Sequence, residues 1–277
     1  MTAVPRRIVP IALTVAVSAL FVYPFLWLLS ASLKQRAYVF TSTLLPTPFA
    51  PENYVTVWDK APMLVWFVNS VVVGLAAALS VTASSAMVAF GFAYFRFPGR
   101  GVLFGLVLAT MMLPAAVTMV PLYLEWHSIG LATTQVPLWG RNLFGSAIYI
   151  FLLRQFFLSQ PRDIFEAAQI DGASYWRLFR SIALPLAWPA LVVVFVFELR
   201  ASWTDLISPL IYLRDPNLYT LPRGLKAVLD RFGQGGGGEA QWEVILAASV
   251  IATVPMIVVF LLAQKHFLRG VVMQQRR

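Results

Sequence analysis

Six long apolar stretches, separated by short polar ones, run along the chain at about 8–30, 63–92, 102–124, 143–158, 185–206 and 244–267. A run of about 18 or more mostly apolar residues is long enough to cross the hydrocarbon core of a bilayer as a helix. The pattern therefore predicts an all-α integral membrane protein with six transmembrane helices in a single domain over 1–277. The fourth stretch is short for a span, so it either extends into flanking polar residues or leans on neighbours. Pro114 and Pro121 lie in the third stretch and Pro255 in the sixth; prolines inside spans are tolerated where neighbours take up the freed backbone groups. Ser30-Ala31-Ser32 resembles a signal-peptide cleavage site, but the preceding apolar stretch is longer than a signal core and contains Pro24. An uncleaved anchor is the expected reading.

Composition agrees with this pattern. Only 12% of residues are charged and 59% are hydrophobic, and the mean hydropathy is +0.75. Soluble domains carry about twice that charged fraction. The net charge of +9 suggests nucleic acid at first sight, but the basic residues flank apolar runs and line no polar surface, so no nucleic-acid partner is expected. With the N-terminus inside, the inner segments 1–7, 94–101, 154–186 and 265–277 hold 12 Lys and Arg in 61 positions, against 8 in 84 for the outer segments. That bias predicts both termini on the cytoplasmic side of a bacterial plasma membrane. There are no cysteines, and His127 and His266 stand far apart. Thiolate chemistry is excluded and no metal site or bound cofactor is expected. No Ser–Lys or His–Glu set points to an intramembrane enzyme.

Two outer segments are long. The first, 31–63, carries Pro51-Glu52-Asn53-Tyr54, and the last, 208–241, contains Gly235-Gly236-Gly237-Gly238. Four successive glycines read as a flexible tract. They are not a phosphate loop, since no Gly-Lys-Ser/Thr follows.

The inner segment 160–186 reads QPRDIFEAAQIDGASYWRLFRSIALPL. Pro161 suits a helix start, Gly172 a helix end and Ser174 the cap of a second short helix. Small side chains at Ala167 and Ala168 permit close approach of another surface. Either a docking site or a membrane-surface segment joining two spans fits this pattern.

Glu166-Ala167-Ala168, three residues, Gly172, nine residues, Ile182, one residue, Leu184-Pro185 resembles the EAA motif of ABC importer permeases, between spans four and five of six. Further segments resemble the carbohydrate-uptake branch, of the maltose-permease second-subunit kind: Phe95-Arg96-Phe97-Pro98-Gly99-Arg100, the run from Phe151 to Phe157, Ile170-Asp171-Gly172-Ala173-Ser174, Leu218-Tyr219-Thr220-Leu221-Pro222, Asn69-Ser70, Pro51-Glu52-Asn53-Tyr54 and Arg269-Gly270. The resemblance covers nearly the whole chain. It implies a permease subunit working with a second permease subunit, two cytoplasmic ATPase subunits that hold ATP and Mg, and an external solute-binding protein, all in membrane lipid. It implies a coupling helix over 161–172, with Glu166, Ala167, Ala168, Asp171 and Gly172 facing the ATPase. It implies that this chain is not itself an enzyme. The loop before span six, from Asp230 through Gly235, Gly236, Gly237 and Gly238, is the implied contact with the binding protein, a flexible linker being the alternative.

Span five departs from that family. Trp203-Thr204-Asp205 stands where Trp-Asn-Asp or Trp-Asn-Glu is common, and Glu198 and Arg200 occupy positions usually apolar or hydroxylated. Glu198, Ser202 and Asp205 recur at i, i+4 and i+7 and share a helix face. Charge inside a span usually faces a bundle interior or a water-filled path. Glu198, Arg200, Ser202, Trp203 and Asp205 are therefore path candidates, and Arg200 is expected to pair with an acidic group. A structural ion pair between subunits is the alternative. Sugars are the expected solutes, with glycerol-phosphate-like compounds or polyamines as alternatives. A stand-alone channel would leave 160–186 without purpose.

Overall fold

The computed structural model describes residues 8–233 and 240–274. Helices follow one another in the order α1 (Ile8–Ser32), α2 (Glu52–Lys60), α3 (Met63–Tyr94), α4 (Arg100–Thr110), α5 (Ala115–Ser128), α6 (Val136–Gly140), α7 (Ala147–Leu158), α8 (Arg162–Ile170), α9 (Tyr175–Leu178), α10 (Leu184–Leu186), α11 (Trp188–Thr204), α12 (Ile207–Tyr212), α13 (Leu221–Phe232) and α14 (Trp242–Gln274). One isolated antiparallel bridge, Lys34 with Phe49, is the only extended pairing among the described residues. Cα packing groups the chain into two units, 1–64 with 224–255 and 65–223 with 256–277.

Four helical segments are long and apolar enough to cross a membrane: Pro10–Ser32, Met63–Tyr94, Val136–Leu158 and Trp242–Leu262. The number rises to six if each of two bent pairs counts as one span. The fourth stretch is lengthened at its N-terminal side by α6 and a short 3-10 turn, Arg141–Phe144. The third and fifth stretches are not the continuous helices that their hydropathy predicts. α4 and α5 meet at 97°, because Pro114 takes an extended conformation at the head of α5 and cannot continue the helix before it. The helix from Tyr175 to Leu186, which includes a π-helical turn at Phe179–Ala183, meets α11 at 77°. Pro189 enters α11 within its first two positions, where a missing N–H costs nothing.

In the first unit, the chain after α1 is fixed by polar side chains. The Asn53 amide donates to the Ser32 and Lys34 carbonyls at 2.9 and 2.8 Å, and the Tyr54 and Ser32 hydroxyls share a hydrogen bond. Lys34 is fully buried and donates to the Thr41 carbonyl and hydroxyl and to the Thr43 carbonyl. Pro51-Glu52-Asn53-Tyr54 is thus a structural clasp. Arg36 pairs with Glu243 at 3.0 Å. The segment 208–241 is not one open loop: α12 and α13 occupy much of it. Leu221, Leu225, Val228 and Phe232 recur at helical spacing, which gives α13 an apolar stripe.

In the second unit, α3 is the common support. The Trp66 indole donates to the Pro216 carbonyl. The Asn69 amide donates to the Asn217 and Tyr219 carbonyls at 2.8 and 2.9 Å, and Ser70 Oγ accepts from the Leu221 N–H at 2.7 Å. Two turns that are about 150 residues away in sequence are thereby held to one helix. Further along α3, the Ser84 hydroxyl donates to the Asn142 carbonyl and Ser85 accepts from the Ser146 N–H. An apolar core then builds around Phe90, Leu153, Leu178 and Val194. Asn69→Ala leaves two carbonyls without their donor, a loss of about 1–3 kcal/mol. A fall in the thermal unfolding midpoint of the detergent-solubilised protein is expected, and an unchanged midpoint contradicts the support role of α3.

Candidate functional site

α8 mixes the polar Arg162, Asp163, Glu166 and Gln169 with apolar residues and buries one side chain, Phe165. That ring enters an aromatic socket, with its centroid 5.8 Å from Tyr94 and 6.4 Å from Phe90. Phe157 and Phe179 also contact Phe90, at 5.7 and 5.2 Å. Asp163 lies in the first turn, where a negative charge suits the helix dipole. At the other end, the Gly172 N–H bonds the Gln169 carbonyl and the Ala173 N–H bonds the Ala168 carbonyl. This crossed pair, with Gly172 at φ +80°, is the Schellman arrangement. Ser174 then accepts from the Arg177 N–H and caps α9.

The opposite face of α8 is open. Glu166, Ala167, Asp171 and Gly172 are exposed, and Ala168 is half-buried against the core. Ile170 is 87% exposed and Trp176 61%, so an apolar surface continues past the helix end without cover from this chain. A Cβ added at Gly172 meets nothing within 4 Å. Bulk there produces no clash inside the chain, contrary to what close packing at that glycine suggests; the internal cost is the left-handed backbone alone. Behind α8, a cavity of about 490 Å³ is lined by Arg96, Gln160, Arg162, Glu166 and Tyr175 among others.

A second cavity, also about 490 Å³, opens beside the C-terminal half of α11. Glu198, Ser202 and Asp205 all line it, as their helical spacing predicts. Arg200 and Trp203 do not. Arg200 is exposed on another side of α11, and among the described residues it forms no ion pair within this chain. Trp203 is buried and meets the edge of Phe67 at 5.8 Å. Glu198 is held from across the helix pair by the Asn142 amide, which donates to it at 2.6 Å. Asp205 accepts from the Ser208 N–H at 3.1 Å and so starts α12. Arg141, Thr118, Ser208, Tyr212 and Thr220 complete the polar lining. Neither Asn142 nor Arg141 follows from the sequence pattern, since both precede the fourth apolar stretch, in a 3-10 turn, and Thr220 stands before α13. Asp230, a candidate contact residue before the last span, lies in α13 and pairs with Lys226 one turn earlier. Gly235, Gly236, Gly237 and Gly238 lie outside the described residues.

Residues 70–273 match the protein family described as "Binding-protein-dependent transport system inner membrane component". The chain is 34% identical over 254 residues to a probable ABC transporter permease, YurM, of Bacillus subtilis, covering 90% of this chain and 81% of the relative. It is 31% identical to the diacetylchitobiose uptake system permease NgcG of Streptomyces coelicolor (92% and 84% covered). It is 33% identical to the sn-glycerol-3-phosphate transport system permease UgpE of Salmonella typhi (92% of each). Its fold is similar to a chain of a bacterial ABC transporter that imports the polysaccharide alginate, with a TM-score of 0.82, 22% identity and coverage of 96% and 99%. That transporter type has also been solved in complex with a pentasaccharide-bound periplasmic protein, where a chain matches with a TM-score of 0.61, 19% identity and coverage of 92% and 91%.

Removing the anchor ring and straining the turn have separable effects. Phe165→Ala empties a buried aromatic socket and costs about 3–5 kcal/mol, and faster limited proteolysis between α7 and α11 is the expected sign. Gly172→Ala costs about 1–2 kcal/mol for the left-handed residue alone and leaves the core intact. Equal proteolytic resistance of Phe165→Ala and the parent protein contradicts the anchor assignment.

Proposed function

This chain belongs to the family of binding-protein-dependent transport system inner membrane components, and from that premise we propose how it works as the permease subunit of an ATP-binding-cassette importer. It crosses the membrane six times, with both bent helix pairs acting as single broken spans and both termini in the cytoplasm. It forms half of the translocation pathway for a sugar or related solute. A second permease subunit supplies the other half, two cytoplasmic ATPase subunits supply the energy, and an external binding protein delivers the solute. ATP and Mg belong to the ATPase, not to this chain.

The observation that carries the reading is the construction of α8. One face is fixed to the core through Phe165, and the other, with Glu166, Ala167, Asp171 and Gly172, is free. A membrane-surface helix needs a broad apolar face, whereas α8 buries a single ring and exposes Arg162, Asp163, Glu166 and Gln169 beside Ile164 and Ile170. That suits insertion into a cleft of another protein. We assign α8 as the coupling helix on that basis. The relatives named above, one for diacetylchitobiose and one for sn-glycerol-3-phosphate, support a polyhydroxylated solute. Glu198, Ser202 and Asp205 then line the path, while Arg200, on another side of α11, is placed to meet a neighbouring subunit.

Glu166→Lys or Gly172→Leu is expected to leave the importer inserted and assembled but to separate ATP hydrolysis from uptake. The measurement is solute uptake and phosphate release by the same proteoliposomes; normal uptake by both variants refutes the coupling assignment. Deleting Gly235 to Gly238 is expected to lower uptake more than it lowers the amount of assembled importer. Parent-level uptake after the deletion makes that stretch a connector only.

A further inference from the structure

Arg100, the first residue of α4, and Arg154, one turn from the end of α7, lie close enough to repel each other. The Arg154 guanidinium lies 4.2 Å from the centre of the Phe104 ring and donates through Nε to the Phe92 carbonyl at 3.3 Å. Arg100 donates through Nη1 to the Phe95 carbonyl at 3.0 Å. Phe104 also contacts Phe92 and Phe151, at 5.4 and 6.5 Å between ring centres, so both guanidiniums are fixed in one corner at the end of α3. Capping the carbonyls there uses one N–H of each arginine out of five. It does not account for two like charges side by side, which is unfavourable without a counter-charge. Neither arginine takes part in an ion pair; those among the described residues join Arg36 to Glu243 and Lys226 to Asp230. Between Asp59 and Asp163 the sequence has a single acidic residue, Glu125, which stands near the far end of α5.

α4 starts in the same corner. Its N-cap is Gly99, at φ +80° and without a side-chain cap, and its first turn carries no acidic residue. A Cβ added at Gly99 or Gly101 meets nothing within 4 Å, so the first N–H groups of the helix are open to an anion. Apolar surface adjoins the charge. Leu103 and Phe151, each three residues from its arginine and on the same side of its helix, are exposed, and Leu106 and Ile148 continue that surface along α4 and α7.

We propose that Arg100 and Arg154 hold the phosphate of a phospholipid of net negative charge in the cytoplasmic leaflet, with an acyl chain along Leu103 and Phe151. The leaflet rests on the topology proposed above, in which α3 and α7 end, and α4 begins, at the cytoplasmic side. A guanidinium pair matches a phosphate, because its planar forks donate to two oxygens at once. A soluble anion satisfies the charges but leaves the adjoining apolar surface uncovered, whereas a phospholipid answers both. A zwitterionic headgroup adds an ammonium that meets the same two arginines, so the pair selects against it. Basic corners between helices at the cytoplasmic side of a membrane hold anionic headgroups by the same attraction.

The test offers phosphatidylglycerol and phosphatidylethanolamine in equal amounts to the complete purified importer and reads the adducts by native mass spectrometry. Phosphatidylglycerol adducts are expected to predominate. Arg100→Gln and Arg154→Gln are each expected to weaken them about tenfold, as loss of a charged hydrogen bond predicts, and the double variant to bind both lipids alike. Only fully assembled complexes are compared. A role confined to capping α3 leaves the lipid preference unchanged by these substitutions and overturns the proposal, as do equal adducts of both lipids on the parent importer. Excess inorganic phosphate is expected to leave the adduct in place; displacement makes this a site for a soluble anion and overturns the lipid. A phosphatidylglycerol with a photoreactive acyl chain tests the parent importer without any substitution. Attachment within 97–106 or 148–154 is expected, and attachment only elsewhere refutes the site. The chain contains no cysteine, so Gly101→Cys supplies its one thiol, and an impermeant maleimide is expected to label it in inverted vesicles and not in right-side-out ones. Labelling from outside refutes the topology and the leaflet that rests on it, whereas lost lipid preference with labelling from inside refutes the lipid site alone.

Discussion

Hydrocarbon offers no hydrogen bonds, so a chain that breaks its helices inside a membrane must pair every freed backbone group with something of its own. This protein breaks its helices repeatedly, and α3 supplies much of the pairing in the unit that holds the cavity. Along one helix, Trp66, Asn69 and Ser70 hold 216–221, and Ser84 and Ser85 hold 142–146. The polar side chains of an otherwise apolar helix are therefore not spread at random. Asn69, Ser70, Ser84 and Ser85 fall where non-helical backbone crosses. Thr220 owes its place to this arrangement, because its neighbours Tyr219 and Leu221 are the ones held. Asn142 does too, since Ser84 fixes its carbonyl while its amide is left to orient Glu198.

The same economy explains how α8 is both attached and available. A helix of nine residues has little stability alone. Attachment by a single aromatic ring, with the backbone closed by the bonds at Gly172 and Ser174, stabilises it without covering its outer face. A second buried residue on the other side would strengthen the helix and remove the surface that a partner needs. Glycine at 172 is required by the φ of +80°; the open space around it shows that steric room inside the chain is not the constraint.

The sequence pattern located every apolar stretch, because transfer of apolar side chains depends on composition more than on detail. It also placed the helix starts and stops of 161–174, since Pro161, Gly172 and Ser174 act locally. The bends at 111–114 and at Ala187 were not legible: Pro114 and Pro121 lie in one apolar run, and nothing local distinguishes the proline that ends a helix from the one that α5 contains. Motif positions such as Asn53, Asn69 and Ser70 were visible as resemblances, but their roles are long-range bonds to backbone, to carbonyls for the two asparagines and to an N–H for Ser70, which almost any residue supplies equally. Lys34 is the extreme case. A lysine in an outer segment reads as a solvated charge, and three carbonyl and hydroxyl oxygens from 41 and 43 bury it instead.

The position of Glu198 bears on how movement at α8 reaches the cavity. α7 leads into α8 and α11 follows α10, so the segment that holds α8 is the tip of a hairpin with α7 and α11 as its arms. Glu198 lies on one arm, and its partner Asn142 lies in the 3-10 turn just before the other. Displacing the tip moves both arms, and a carboxylate bonded to each resists their separation where the cavity begins. An apolar residue at 198 would leave the arms joined only by side-chain packing, which yields gradually under shear. A carboxylate held by a fixed amide donor has few alternative arrangements, and leaving it unpaired in a low dielectric is costly. The arms should then move as a unit until that bond exchanges for another.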